Sequence, residues 1–275
     1  MKIGLALSGG GMKGAAHIGV IKVLEKNKIP IDYISGTSAG AIIGGIYASG
    51  TPIKVLEKKI LSMKRSDFLS FILDFSRPHG GVVGAERIMK YTESLIKERY
   101  IENFKIGFAA VSADIANFRE VIIDKGDVLT AIRASIAYPG LVKPVKIKDA
   151  VLVDGGVVNN FPMDVLAKKG VDFIIGVKFK SNLKMKKLNY KNVVWRSLKM
   201  MELFLTYYRN KDIKNCVVIE PNVTGVSTFS ISEKLARKAI RAGEKEAKRM
   251  LPRIKEKIEE FQSSSNLNVN LPNNL

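Results

Sequence analysis

The sequence predicts an α/β fold with a largely parallel central sheet, and three observations carry that expectation. Short apolar runs alternate with segments whose apolar residues recur at helical spacing, the signature of strand and helix in turn. Glycine clusters stand at two of the junctions, Gly9–Gly14 and Gly36–Gly40, where a strand would turn sharply into a helix. The composition is that of a globular chain: 275 residues, 46% hydrophobic and 26% charged, which excludes disorder and fibre.

Residues 3–8 read as a buried strand, followed past the glycines by a helix over 15–26. A second strand over 31–35 leads through Gly36 into an apolar helix, Ala39–Ala48. Further strands are expected at 106–112, 120–124, 151–153 and 173–179, with helices at 85–99 and 128–137. From Lys191 onward helical patterns dominate, at 195–208 and 233–261, and Pro252 should kink or split the last helix. No interdomain linker is visible. The reading is a single α/β domain over 1–262 with a helical part at 191–262, and a Ser- and Asn-rich loose tail at 263–275.

Composition narrows the chemistry. One cysteine, Cys216, cannot form an intramolecular disulfide, so nothing points to an oxidising compartment, and zinc sites built on Cys clusters are ruled out. Only His17 and His79 are present, and no HExxH pattern occurs, so no metal site is expected. The start, Lys2-Ile3-Gly4-Leu5-Ala6-Leu7-Ser8, resembles a strand more than a secretory leader. No apolar run reaches the roughly 18 to 20 residues that span a bilayer. The expectation is a cytoplasmic protein, soluble or peripheral at a membrane. Its net charge is +19, and residues 178–260 carry 21 basic against 9 acidic side chains. That excess suits an anionic lipid surface or simple solubility, and no motif supports nucleic acid as the partner.

Three glycine motifs carry the functional signal. Gly9-Gly10-Gly11-Met12-Lys13-Gly14 formally matches GxGxxG and raises a dinucleotide-binding enzyme as one alternative. The acid that should hold the ribose is misplaced, because Asp32 precedes the second strand instead of ending it. Gly36-Thr37-Ser38-Ala39-Gly40 is GxSxG between strand and helix, the pattern of a nucleophile elbow. Its flanking residues must be small because the turn is sharp, and the helix dipole favours negative charge developing at the serine. A triad histidine would belong late in the chain, yet none follows His79. His17 reads as a packed histidine. A buried aspartate can serve as the base directly. The candidate is Asp154 in Val151-Leu152-Val153-Asp154-Gly155-Gly156, at a strand end that a parallel sheet would place on the same edge as Ser38. An Asp-Gly turn between strands is the alternative for that segment.

Together these motifs resemble the patatin-like phospholipases, which carry a GGGxKG or GGGxRG loop, a GxSxG elbow and a DGG or DGA motif in that order. The resemblance extends through Leu7–Val20 and the block Arg133–Val145, and covers about residues 3–180. It implies a three-layer α/β/α fold with a mainly parallel sheet. It implies Ser38 as nucleophile and Asp154 as general base, a dyad in place of a triad. The glycine loop, Gly9, Gly10, Gly11 and Met12, would form the oxyanion hole, with Lys13, Gly14, Gly36, Gly40, Gly155 and Gly156 supporting the motifs. Lys13 otherwise reads as a solvated charge at a helix start. The implied activity is a serine lipid acyl hydrolase cleaving phospholipids, lysophospholipids or simple esters through an acyl-enzyme, with no cofactor.

Two apolar stretches bear on the substrate. Phe68–Phe75, followed by Pro78-His79-Gly80-Gly81, reads as a lid or one wall of an acyl pocket. Met200, Met201, Phe204, Leu205, Tyr207 and Tyr208 read as a second apolar surface, a stripe that core packing or a homo-oligomer interface would also explain. A non-catalytic regulatory or lipid-binding protein on the same scaffold is the remaining alternative.

Overall fold

The computed structural model describes residues 1–62, 85–180, 190–228 and 232–269. The first half opens with β1 (Ile3–Leu7), a 3-10 turn over Gly11–Gly14 and α1 (Ala15–Lys26). Next come β2 (Tyr33–Thr37), α2 (Ala39–Ala48), α3 (Ile53–Leu61) and α4 (Glu86–Glu93). The middle of the chain holds β3 (Gly107–Asp114), β4 (Arg119–Ile123), α5 (Val128–Ser135), β5 (Val145–Ile147) and β6 (Ala150–Asp154). The remainder is α6 (Met163–Lys168), β7 (Phe173–Val177), α7 (Tyr190–Asn210), β8 (Cys216–Ile219) and α8 (Glu233–Val269).

The alternation read from the sequence is present, with four short elements added: α3, β5, α6 and β8. Helix α4 stops before the expected Arg99 because the chain beyond it turns to bond the end of α2, with the Lys97 amide donating to Ser49 Oγ and the Glu98 amide to the Ser49 carbonyl. Helix α8 is not split at Pro252. The missing proline N–H costs one backbone bond, and the helix continues through it and past residue 262. A formed helix propagates cheaply, so Ser and Asn following it adopt its conformation where the sequence suggested a loose tail.

Strand neighbours run β5-β6-β3-β2-β1-β7-β8, with β4 also on β3. The pairs β1–β2, β1–β7, β2–β3 and β7–β8 are parallel, while β3–β4, β3–β6 and β5–β6 are antiparallel. Alternate residues of β1 face opposite layers. Ile3, Leu5 and Leu7 join a large core with α1, α2, α3, α5 and α8. On the other face Ala6 meets Met163 and Leu166 of α6 in a thinner layer. This is the three-layer α/β/α arrangement that the resemblance implied. On the thick side α1 and α8 cross so closely that a Cβ on Gly19 would strike the Ile240 carbonyl, and one on Gly243 the Ala16 carbonyl.

The register also shows why two strand ends meet. Ala110 and Val111 pair with β2 and β4 at once, so those strands lie on opposite edges of β3. Ser112 to Asp114 pair with β4 and β6 at once, which puts β6 on the edge of β3 that β2 occupies lower down. Strands β2 and β6 therefore lie end to end and run toward each other. Thr37 sits opposite Val111 and Asp154 opposite Ser112, at adjacent positions of one strand. The sequence expectation of parallel strands sharing an edge is corrected here: β6 is antiparallel, and the head-on approach brings Asp154 to the elbow.

Candidate active site

Ser38 closes β2 with φ 55° and ψ −119°, a backbone conformation that residues with a side chain seldom adopt. The turn is as tight as the motif required. A Cβ on Gly36 would lie 2.6 Å from the Gly40 carbonyl carbon, and one on Gly40 would run into the Leu7 carbonyl. The Ser38 amide donates to Ser135 Oγ at 2.9 Å, and that hydroxyl donates to the Val111 carbonyl at 2.6 Å. Thr37 Oγ1 donates to the Asn159 carbonyl at 2.7 Å. These bonds hold the strained elbow from both sides.

Asp154 is 3% exposed, and the Ser38 hydroxyl is close enough to its carboxylate to favour the ionised form. Asp154 Oδ1 accepts from the Gly156 amide at 2.8 Å. Burial pushes the carboxyl up to about 6, against the pull of the Ser38 hydroxyl and the Gly156 amide, and the nearby Glu202 carboxylate adds to the rise. A carboxylate so tuned is still ionised at neutral pH and is more basic than an exposed aspartate. Gly155 and Gly156 have to be bare: a Cβ on Gly155 would strike the Val111 carbonyl, and one on Gly156 would lie 3.1 Å from Asp154 Oδ1.

The glycine loop lies against the serine, since a Cβ on Gly9 would sit 3.3 Å from Ser38 Cβ. The four suggested oxyanion donors do not stand alike. The Gly9 amide is taken by the Asn160 carbonyl at 3.1 Å and the Met12 amide by the Thr228 carbonyl at 3.1 Å. The amides of Gly10 and Gly11 donate to no group among the described residues. Gly11 has φ +56°, a left-handed conformation that suits glycine. Gly14 packs where a Cβ would lie 2.6 Å from Ala39 Cβ, fastening the loop to the start of α2.

Lys13 is half-buried, with burial and the neighbouring Lys199 lowering its pKa and Glu202 raising it. Helix α7 thus reaches the mouth of the site. Asn160 Nδ2 donates to Glu202 Oε1 at 2.7 Å, and Lys199 Nζ pairs with the same oxygen at 2.6 Å. Asn159, Asn160, Ser135 and Glu202 escape the sequence reading. For the asparagines the available signal was their place directly after the DGG turn, and Ser135 lay inside the block already singled out.

His17 is fully buried, bonds the Ser8 carbonyl through Nε2 at 2.9 Å and tilts against Phe179 with ring centroids 5.0 Å apart. Burial pushes its pKa down to about 4, which keeps it neutral behind the loop. Asp32 accepts from the Ile3 amide at 2.7 Å at the start of the sheet, far from a ribose-binding position. His79 and the expected lid at 68–75 lie outside the described residues. Among the described residues no group of His, Cys, Asp or Glu is placed to hold a metal, and no helix is long and apolar enough to cross a membrane.

Solved structures share this architecture. VipD from Legionella pneumophila aligns with a TM-score of 0.54 and 16% identity, covering 91% of this chain and 66% of that one. The type III effector ExoU aligns with a TM-score of 0.50 and 15% identity, covering 92% and 53%. In sequence, the lysophospholipase NTE1 of Candida albicans is 30% identical over 238 residues, 86% of this chain but only 17% of that protein. An uncharacterized NTE family protein of Mycobacterium tuberculosis is 34% identical over 176 residues, 64% of this chain and 48% of that one. The chain spans less than half the length of these relatives. The model of the family described as patatin-like phospholipase matches residues 5–167, the stretch that contains the glycine loop, the elbow and the aspartate. With more than half of its length matched, the chain belongs to the patatin-like phospholipase family.

Proposed function

We propose that the chain is a serine lipid acyl hydrolase, cleaving the carboxylic esters of phospholipids, lysophospholipids or simple esters with Ser38 and Asp154 as its dyad. The observation that carries this reading is the approach of the Ser38 hydroxyl, on a strained elbow, to a buried carboxylate that burial pushes up to about 6. Asp154 takes the hydroxyl proton as Ser38 Oγ attacks the ester carbonyl carbon. The carbonyl oxygen becomes anionic toward the Gly10 and Gly11 amides, each such donor being worth about 2.7–4 kcal/mol in other hydrolases. Collapse expels the alcohol, which leaves with the proton from Asp154, and an acyl-Ser38 ester remains. Water then attacks that ester, Asp154 again accepts the proton, and Ser38 recovers it as the fatty acid departs. No step calls for a metal or an organic cofactor.

The same reading places the protein in the cytoplasm, in peripheral contact with the lipid that holds its substrate. The family, the lysophospholipase name of a relative and the basic excess at 178–260 support it.

The test is hydrolysis of a short-chain chromogenic ester, a long-chain phospholipid and a lysophospholipid by wild type, Ser38→Ala and Asp154→Asn. Turnover of at least one substrate should fall by about 10³-fold or more in both variants while their circular dichroism stays native. An inert wild type, or a Ser38→Ala protein that keeps its activity, would sink the mechanism and favour a non-catalytic scaffold.

A further inference from the structure

Helix α7 is amphipathic in the reverse sense. Its polar side faces the protein: Arg209 pairs with Glu120 at 2.5 Å and Asp164 at 2.7 Å, Asn210 donates to the Phe161 carbonyl at 3.1 Å, and Glu202 accepts from Asn160. Its apolar side faces outward. Met200, Met201, Phe204, Tyr207 and Tyr208 are each between 53% and 63% exposed, and they fall on one half of the helix surface at 100° per residue. An apolar face of this kind on a folded chain marks a surface that something covers.

We propose that the outward face of α7 docks the protein onto an anionic lipid surface, and this rests on the lipid hydrolase reading above. Three observations favour lipid over a second copy of the chain. The helix that carries the face borders the candidate site, because Glu202 and Lys199 on its inward side act on Lys13 and Asp154. Two exposed apolar residues from other segments extend the rim there: Tyr138, which lies near Asp154 and Glu202, and Val157, next to Gly156. A partner molecule seated on this rim would crowd the path of the acyl chain, whereas a lipid surface supplies that chain.

The second observation is charge. Lys211 continues the exposed face beyond Tyr207 and lies 5.4 Å over the Tyr208 ring, and among the described residues neither it nor Lys214 is ion-paired. In a two-fold dimer the same patch meets itself and brings these cations together. Anionic headgroups would neutralise them instead. The third is the chemistry of the residues. Tyrosine rings with an apolar body and a polar tip, flanked by lysine, suit the boundary between headgroups and acyl chains.

The experiment is sedimentation of the Ser38→Ala protein, which leaves the lipid intact, with vesicles of phosphatidylcholine alone or mixed with phosphatidylglycerol, at low and high salt. The protein should partition at least about tenfold more onto the anionic vesicles at low salt and release at high salt. Met201→Glu with Phe204→Glu in the same chain should abolish that binding. A second pair, Tyr207→Ser with Tyr208→Ser, gives the same reading if the first fails to fold. With Ser38 restored, either double variant should keep turnover of a soluble short-chain ester within about twofold, since surface changes cost little. Equal binding to neutral and anionic vesicles overturns the proposal, as does binding that survives both pairs. A wild-type dimer that the substitutions split into monomers overturns it in favour of self-association. Vesicle binding by a protein with no ester turnover would refute the hydrolase reading while leaving the docking face in place.

Discussion

The two long helices of the second half solve opposite problems. Helix α8 buries Ala236, Ala239, Ile240, Ala247 and Ile254 in the main core and meets α1 at backbone distance through Gly19 and Gly243. Helix α7 attaches by ion pairs and side-chain hydrogen bonds and leaves its apolar side in solvent. Apolar burial is non-directional and grows with area, so α8 contributes stability. Part-exposed ion pairs contribute little net energy but fix geometry. Helix α8 therefore holds the fold together, while α7 is positioned for what happens at the mouth of the site.

The sharpest way to break that contrast is at the crossing of α1 and α8. Gly243→Val would drive a Cβ into the Ala16 carbonyl, which belongs to backbone and cannot swing aside. The helices would have to separate, at a cost of at least about 3 kcal/mol. Urea denaturation should show a lowered midpoint, or no folded protein; an unchanged midpoint would mean that the crossing carries no load. On α7, Arg209→Met should cost less, about 1–2 kcal/mol, since the network is partly exposed and Asn159 Nδ2 still bonds both Glu120 and Asp164. The same titration would then show a small drop, with a larger loss of phospholipid turnover as α7 loosens. A stability loss equal to that of Gly243→Val would erase the distinction between the helices.

What the sequence discloses follows the same division. The elbow was legible because its chemistry is local: only small residues at 36 and 40 allow the turn, so the pattern is written in adjacent positions. The alternation of elements was legible from periodicity, though short β5, α6 and β8 were too brief to stand out. The meeting of Ser38 with Asp154 was expected on the wrong ground, since strand direction depends on pairings between distant segments. The stripe on α7 was visible too, but periodicity defines two faces without saying which one meets the protein. That choice is made by Glu120 and Asp164, remote in sequence, which draw Arg209 inward. Asn160 and Glu202, single polar residues in no repeating pattern, became meaningful only when the fold set them beside Ser38 and Asp154.

The finest test asks whether α7 tunes chemistry without supporting the fold. If Asp154 must be ionised to take the serine proton, kcat/KM falls as pH drops through about 6, the value to which burial and Glu202 raise it. Glu202→Gln removes a neighbouring negative charge but can still accept from Asn160 Nδ2. Ionised Asp154 then meets less repulsion, its pKa falls, and activity persists to lower pH. The shift of the acid limb should be less than about one unit, or 1.4 kcal/mol, because burial is the larger cause. Glu246→Gln on α8, whose partner is the exposed Arg249, should leave the limb in place. A limb that stays fixed in Glu202→Gln, or moves to higher pH, would show that α7 does not act on Asp154 through this charge.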